Sequence, residues 1–313
     1  MTAAMTGFAC SDACMKALGQ EMPLFQALFL RGCGTTLFLW ALTFAMGQAR
    51  LGLPRRDWGL IVARVVAEMG AAWFFITALF QMPLANVSAV LQALPLAVTL
   101  AGALVLRERI GRAQLLAILV GFGGVLLIVR PGGEGFGWPA LYALASVACV
   151  TVRDLLSRLI APGTPSLLVA AVTAGGVAAF GGVGSLFVAW TPIHPTTVFV
   201  LIAAMSFVML AYVASVAAMR VGELAVVAPF RYTSLLVSIL LGVAVFGTVP
   251  DALTLAGAGI VVATGLFTFL RERTRPSAEP AMEGAVDTGG ALPYPAPTPA
   301  MGKIRPAPGQ TNS

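Results

Sequence analysis

The sequence predicts an all-α integral membrane protein: ten transmembrane helices arranged as two inverted five-helix repeats. Three observations carry this. The chain of 313 residues is 58 % hydrophobic and only 10 % charged, with a mean hydropathy of +0.91; a soluble domain carries about 25 % charged residues. Its apolar residues fall into runs long enough to cross a bilayer, parted by short polar turns. Two of those runs, residues 84–111 and 224–251, read as copies displaced by 140 positions, with Leu84 on Leu224, Ala85 on Ala225, Val87 on Val227, Gly102 on Gly242 and Val105 on Val245. A weak internal repeat in an apolar chain is the mark of a duplicated membrane domain.

The ten spans are expected at about residues 2–19, 24–47, 58–80, 84–106, 113–130, 137–160, 166–190, 197–219, 224–248 and 252–270. The first begins at Met1 and is short, so the natural reading frame is expected to start upstream. It carries Asp12 and Lys16 and lacks a basic leader, which argues against a secretory signal peptide. Residues 81–83 (QMP) and 220–223 (RVGE) leave room only for tight turns, so the spans they join should be antiparallel. Residues 131–135 (PGGEG) break the chain between the fifth and sixth spans and divide the halves. Pro95 lies mid-span and Pro229 early in the counterpart span. Each removes a backbone hydrogen bond and is a candidate hinge. Gly121, Gly123 and Gly124 allow close helix contact in span five.

Arginine asymmetry orients the chain. Arg50, Arg55, Arg56, Arg107, Arg109, Arg112, Arg158, Arg220, Arg271, Arg273 and Arg275 fall on one set of span ends, against Lys16 and Arg130 on the other. The arginine-rich side is cytoplasmic, which puts both termini inside. Five spans per half is an odd number, so homologous halves must insert in opposite directions. From residue 273 the composition changes. Residues 274–313 hold eight of the twenty prolines, and residues 273–313 are expected to form a disordered cytoplasmic tail.

The net charge of +6 is dispersed among apolar runs rather than gathered in a stripe, so no nucleic-acid partner is expected. Cys10, Cys14, Cys33 and Cys149 form no C-x-x-C pair and read as small buried residues rather than metal ligands; no metal and no cofactor are expected.

Ionisable groups inside spans cost about 2.5–3.5 kcal/mol each on insertion scales and need partners, water or a function. Depth suggests pairing Asp12 with Arg31 in the outer half, and Asp154 with Arg231 toward the cytoplasm. Such pairs either meet substrate or simply staple helices. Arg64 and Glu68 are spaced i, i+4 and share a face. Arg64 is shallow enough to snorkel, and Glu68 lies near the midplane. Glu68 is the candidate for coupling protons or binding a cationic group; the alternative is an internal Arg64–Glu68 bridge. Trp73, Asn86, Ser88 and Gln92 in the first half, and Tyr212, Tyr232, Thr233 and Ser234 in the second, are candidate pocket residues. Gln92 and Tyr232 are repeat equivalents. Amides and aromatics suit an organic solute better than a bare ion. Trp73 by itself reads more readily as packing.

Taken together, several segments carry a resemblance: Ser11-Asp12-Ala13 to Lys16, residues 29–32 (FLRG), Pro83 through Pro95 to residues 107–109 (RER), residues 121–131 (GFGGVLLIVRP), and residues 228–232 (APFRY) closing on Pro250-Asp251. The chain resembles EamA-type members of the drug/metabolite transporter superfamily over about residues 1–272. The resemblance implies an EamA-type five-helix repeat over residues 1–131, a second over 137–272, a central cavity and alternating access. The APFRY and PD segments resemble branches that include S-adenosylmethionine and riboflavin carriers. Two departures stand out: the short first helix, and Thr248 where the first repeat has Glu108.

The expected function is therefore secondary transport of a small organic metabolite across the bacterial inner membrane, driven by protons or by the solute's own gradient. Amino-acid derivatives, nucleoside-like compounds and vitamins are the candidate solutes. No phosphate-cradling glycine loop precedes a Lys-Ser/Thr pair, which argues against ATP drive. The alternatives are a passive channel and, less favoured, a membrane-embedded enzyme. For an enzyme the lone His194 would be needed, and it sits in a proline-flanked turn, residues 191–195 (TPIHP).

Overall fold

A computed structural model of the chain describes residues 1–49, 52–107, 110–130, 137–221 and 228–273, and every regular element among them is helical. The expected tail beyond Arg273, the expected break at residues 131–135 and the first residues of the ninth span lie outside the described residues.

The helices are α1 (Thr2–Leu18), α2 (Leu24–Ala45), α3 (Arg55–Gln81), α4 (Leu84–Leu91), α5 (Leu94–Val105), α6 (Arg112–Val129), α7 (Trp138–Leu159), α8 (Ser166–Ser185) and α9 (Pro195–Val221). A 3₁₀ turn at Ala228–Tyr232 then leads into α10 (Thr233–Phe246) and α11 (Ala252–Arg273). Counting α4 and α5 as one stretch, eight of these are at least 18 residues long and apolar enough to cross a membrane. The 17-residue α1 and the apolar stretch Phe230–Phe246 are shorter. The chain is thus a multi-pass, all-helical membrane protein. In hydrocarbon every backbone polar group must be satisfied within its own segment, which is why the apolar runs become helices.

Boundaries differ from expectation at the seventh span, which ends at Ser185 rather than residue 190. The Trp190 indole N–H donates to the Ser185 carbonyl (3.2 Å) and folds the following segment back over the helix end. The Gln26 side-chain amide, at the start of α2, donates from Nε2 to the Thr191 carbonyl and accepts the Thr191 N–H at Oε1, each at 3.0 Å, pinning this loop to α2.

The expected fourth span is broken, and the described part of the expected ninth span opens on a 3₁₀ turn. Helix stops at Leu91 and resumes at Leu94 in one, and the 3₁₀ turn passes into α10 at Tyr232–Thr233 in the other. The end of α4 and the start of α10 fall at Gln92 and Tyr232, positions aligned by the 140-residue displacement of the two sequence segments. Pro95 has no N–H for the Leu91 carbonyl, which accounts for the break in the fourth span.

Four helix pairs form the bulk of the packing: α1 on α9, α2 on α8, α3 on α7 and α6 on α11. Small residues let them approach. A Cβ on Gly257 would stand 2.5 Å from the Gly124 carbonyl oxygen, and one on Gly124 2.8 Å from that of Gly257. A Cβ on Gly181 would stand 2.8 Å from the Phe29 backbone nitrogen. Between lipid-solvated helices, close packing of this kind replaces the hydrophobic drive as the source of association. Gly123, expected to join the contact, instead has open space around it. Cys33, expected to be buried, is exposed.

At two helix ends, side chains satisfy stranded carbonyls or N–H groups. Lys16 Nζ, in the last turn of α1, donates to the carbonyls of Leu79 (3.0 Å) and Met82 (2.8 Å) at the end of α3. Asp251 Oδ1 accepts the Thr254 N–H (2.8 Å) at the start of α11, while Oδ2 pairs with Arg130 at the end of α6. These Asp251 contacts, the Thr254 bonds foremost, hold its carboxyl below the usual carboxylate range.

Candidate functional site

The helices enclose a cavity of about 550 Å³. Every stretch contributes to its wall except α6 and α11, which pack on each other outside it. Those two meet glycine to glycine and leave the cavity to the other spans. The volume lies in the range of small-molecule sites, roughly 300–1,000 Å³.

The wall mixes apolar side chains with a dense set of charges. From α1 and α2 come Asp12 and Arg31, from α3 Arg64 and Glu68, from α7 Arg153, and from the 3₁₀ turn Arg231. The helical repeat places Arg64 and Glu68 one turn apart on the inner face of α3. Gln92 and Tyr212 also line the cavity, as does Pro95 at the break between α4 and α5. Gln92 Nε2 donates to Ser234 Oγ (3.0 Å), tying the end of α4 to the start of α10. Tyr212 packs edge-on against Phe8, with ring centroids 5.6 Å apart.

The expected charge pairs form differently. Asp154 does not meet Arg231. Its Oδ1 accepts the Nε (2.9 Å) and Nη2 (2.8 Å) of its neighbour Arg153. The same guanidinium reaches across to α3 and donates from Nη1 to Glu68 Oε2 (2.9 Å). Successive helical residues are about 100° apart, so only Arg153 faces the cavity, and Asp154 stands beside it, off the wall. The expected Arg64–Glu68 bridge gives way for the same reason: Arg153 takes the carboxylate. Arg64 does not snorkel outward. It turns inward, with Nε on Ser157 Oγ (2.8 Å) and Nη1 on Thr173 Oγ1. Asp12 and Arg31 do lie together on the wall, but Arg31 Nη2 donates to Ser11 Oγ (3.1 Å) rather than to the carboxylate.

Three candidates stand away from the cavity. Trp73 packs in an aromatic cluster with Phe74 (4.8 Å) and Tyr142 (6.0 Å). Asn86 is half-buried in the first turn of α4. Tyr232 is buried, and its hydroxyl, which has no hydrogen-bond partner, lies against Gly265 of α11. Pro229 falls in the 3₁₀ turn, and its side chain lies outside the described residues.

Arg153 is the site residue that sequence reasoning passed over. Its signal was present: an arginine beside an acid, four residues before Ser157, on a helix that ends on the same side where α3 begins. A second cavity of about 260 Å³ adjoins, lined by Ser157, Thr164 and Ser166 around the turn between α7 and α8. Arg64 lines both cavities.

Comparison with known proteins adds the family. Residues 1–130 match the EamA-like transporter family. The chain is 28 % identical to a riboflavin transporter of Rhizobium johnstonii over 262 residues, 78 % of this chain and 80 % of that protein. It is 21 % identical to an S-adenosylmethionine uptake transporter of Rickettsia conorii, covering 84 % of this chain and 88 % of the relative. The pseudopaline exporter CntI of Pseudomonas aeruginosa is 31 % identical over 158 residues, half of each chain. A protein of known crystal structure superposes with a TM-score of 0.57 at 22 % identity, covering 87 % of this chain and 98 % of that one, and so shares the fold. Helices of spanning length around a polar cavity, a family match over residues 1–130 and relatives named as transporters lead to one conclusion: the chain carries an EamA-like transporter domain and is similar over most of its length to membrane transporters of small metabolites.

Proposed function

We propose that this protein is a secondary carrier of the bacterial inner membrane, with both termini cytoplasmic. It moves a small organic metabolite by alternating access between two inverted five-helix repeats, residues 1–131 and 137–272. The observation that carries the reading is the 550 Å³ cavity walled by both halves, with charged and amide groups facing inward. Its size suits a solute on the scale of those named for the relatives: a vitamin, a nucleoside-like compound or an amino-acid derivative. Riboflavin and S-adenosylmethionine are the first probes to try.

The packing supports the repeat. Exchanging each span with the one five places on maps the α1–α9 contact onto α7–α3 and leaves α2–α8 and α6–α11 as self-paired contacts. The expected fourth and ninth spans exchange with one another under the same rule. Elements that unwind beside a cavity are where a bound solute can shift a conformational balance. The Glu68–Arg153 bridge spans the two halves, and a proton on Glu68 would remove the acceptor that holds it. That makes Glu68 the residue through which a proton gradient would act. No chemical step on the solute is invoked.

Reconstitution in proteoliposomes tests the carrier. Uptake of the solute that the protein carries, sought among labelled vitamins, nucleoside-like compounds and amino-acid derivatives with riboflavin and S-adenosylmethionine tried first, should saturate and be stimulated by the same solute trapped inside. Flux that never saturates would favour a channel. A Glu68→Gln variant that transports normally with an unchanged pH profile would remove the coupling role.

A further inference from the structure

We infer that the transported solute is an anion, carrying a carboxylate or phosphate group that the cavity's surplus arginines bind. This rests on the carrier reading above and names its substrate class. Among the described residues the wall holds four guanidinium groups, on Arg31, Arg64, Arg153 and Arg231, against two carboxylates, on Asp12 and Glu68. Those carboxylates are not evenly shared. Glu68 is taken by Arg153, which also holds Asp154 behind the wall. Arg64 is bonded only to the neutral hydroxyls of Ser157 and Thr173. Arg31 is bonded to the Ser11 hydroxyl, whose own proton is already given to the Ala204 carbonyl (2.9 Å). Arg231 has neither an ion pair nor a side-chain hydrogen bond among the described residues, although it lines the cavity.

Among the described residues, Asp12 is thus the one wall carboxylate left to balance Arg31, Arg64 and Arg231. Counting Asp154 as well, the site still carries a surplus of positive charge. A surplus charge held among apolar walls attracts its opposite more strongly than it would in water. The planar guanidinium fork also matches carboxylate and phosphate oxygens two at a time. Arg231 comes from a 3₁₀ turn rather than a regular helix. An anion seated on it would bear directly on the turn that leads into α10, and transport would be linked to binding. By this charge count a cationic solute is disfavoured.

Charged thiol reagents read the cavity's potential without knowledge of the solute. In a background with all four cysteines replaced, Ser88→Cys and Ser234→Cys each place a thiol on the wall. Purified protein is treated with an anionic or a cationic methanethiosulfonate, and the rate ratio is divided by that for a small free thiol. The anionic reagent should be favoured by about threefold or more at both positions, and Arg231→Gln should cut that preference severalfold. A preference for the cationic reagent, an unchanged ratio in Arg231→Gln, or failure of both reagents to reach either thiol would overturn the inference. Counterflow separates this outcome from failure of the carrier reading: saturable exchange of a neutral or cationic solute sinks the charge assignment and leaves the carrier intact.

Discussion

Replacing Gly257 by alanine should destabilise the protein while sparing its cavity. An added Cβ would sit 2.5 Å from the Gly124 carbonyl oxygen and 2.8 Å from Ile128 Cγ1. Real Cβ atoms do not come that close to a backbone oxygen, and the oxygen belongs to a helix that cannot bend aside locally. Helices α6 and α11 must separate by several tenths of an ångström along their shared face. Overpacking of this kind costs typically 1–3 kcal/mol. Alanine is the better helix former by roughly 0.5–1 kcal/mol, so the net loss is expected at about 1–2 kcal/mol. Gly123 and Gly259 provide the control, since each lies on one of the same two helices with nothing within 4 Å of an added Cβ. Gly123→Ala and Gly259→Ala should therefore be neutral or slightly stabilising. Thermal unfolding in detergent, followed by tryptophan fluorescence, reads the difference, and a Gly124→Ala/Gly257→Ala pair should cost less than the sum of its members. Solute affinity of the folded fraction should not change, because neither helix reaches the cavity wall. If Gly257→Ala melts with the wild type, or drops no further than the two controls, the glycine contact between α6 and α11 is not as described.

Other substitutions test other joints of the structure. Tyr232→Phe removes a buried hydroxyl that has no partner; the variant should be as stable as the wild type or more so, and solute affinity should be unchanged, whereas a rise in Kd would return Tyr232 to the binding site. Asp251→Ala deletes both the cap of α11 and the partner of Arg130, a loss of about 0.5–2 kcal/mol at neutral pH on the scale of helix caps. Since the Asp251 carboxyl titrates below its ordinary value near about 3.9, its contribution is present above that pH and fades as pH falls through the lower, folded value. The melting-temperature gap between wild type and Asp251→Ala should accordingly be constant from pH 7 to 5 and close in stronger acid. A gap that widened on acidification would contradict the assigned bonds.

The spans were legible because hydrocarbon allows a chain few solutions: an apolar run of sufficient length becomes a helix whatever its neighbours do. Pro95 signalled a kink in the fourth span, where helix in fact stops at Leu91 and resumes at Leu94; a 3₁₀ turn at Ala228–Tyr232, in place of a kinked helix at Pro229, was not legible. The charge pairs were not legible either. Depth along the membrane correctly brought Asp12 near Arg31, yet it could not say that the Arg31 guanidinium would turn to Ser11. For Asp154 and Arg231 depth was misleading, because two residues at one depth meet only if they also face one another. Arg153 takes both Asp154 and Glu68 since its long side chain, aimed at α3, can reach two acids that the sequence lists on different helices. Likewise Trp73 and Tyr232 have the chemistry of binding residues, but the faces they occupy turn to Tyr142 and Gly265 instead.

The sequence by itself determined the solvent of this protein, its helical class, the approximate extent of its spans and its resemblance to a transporter family. Each of these follows from local composition and period, which need no knowledge of neighbours. The tertiary structure alone decided which polar groups share a cavity, and therefore its charge. Azimuth around each helix is set by packing, by glycines such as Gly124 and Gly257 that let one pair close outside the cavity. Once that packing sets Arg231 on the cavity wall with no acid bonded to it among the described residues, an apolar stretch of sequence becomes part of a site with a preference for one sign of charge.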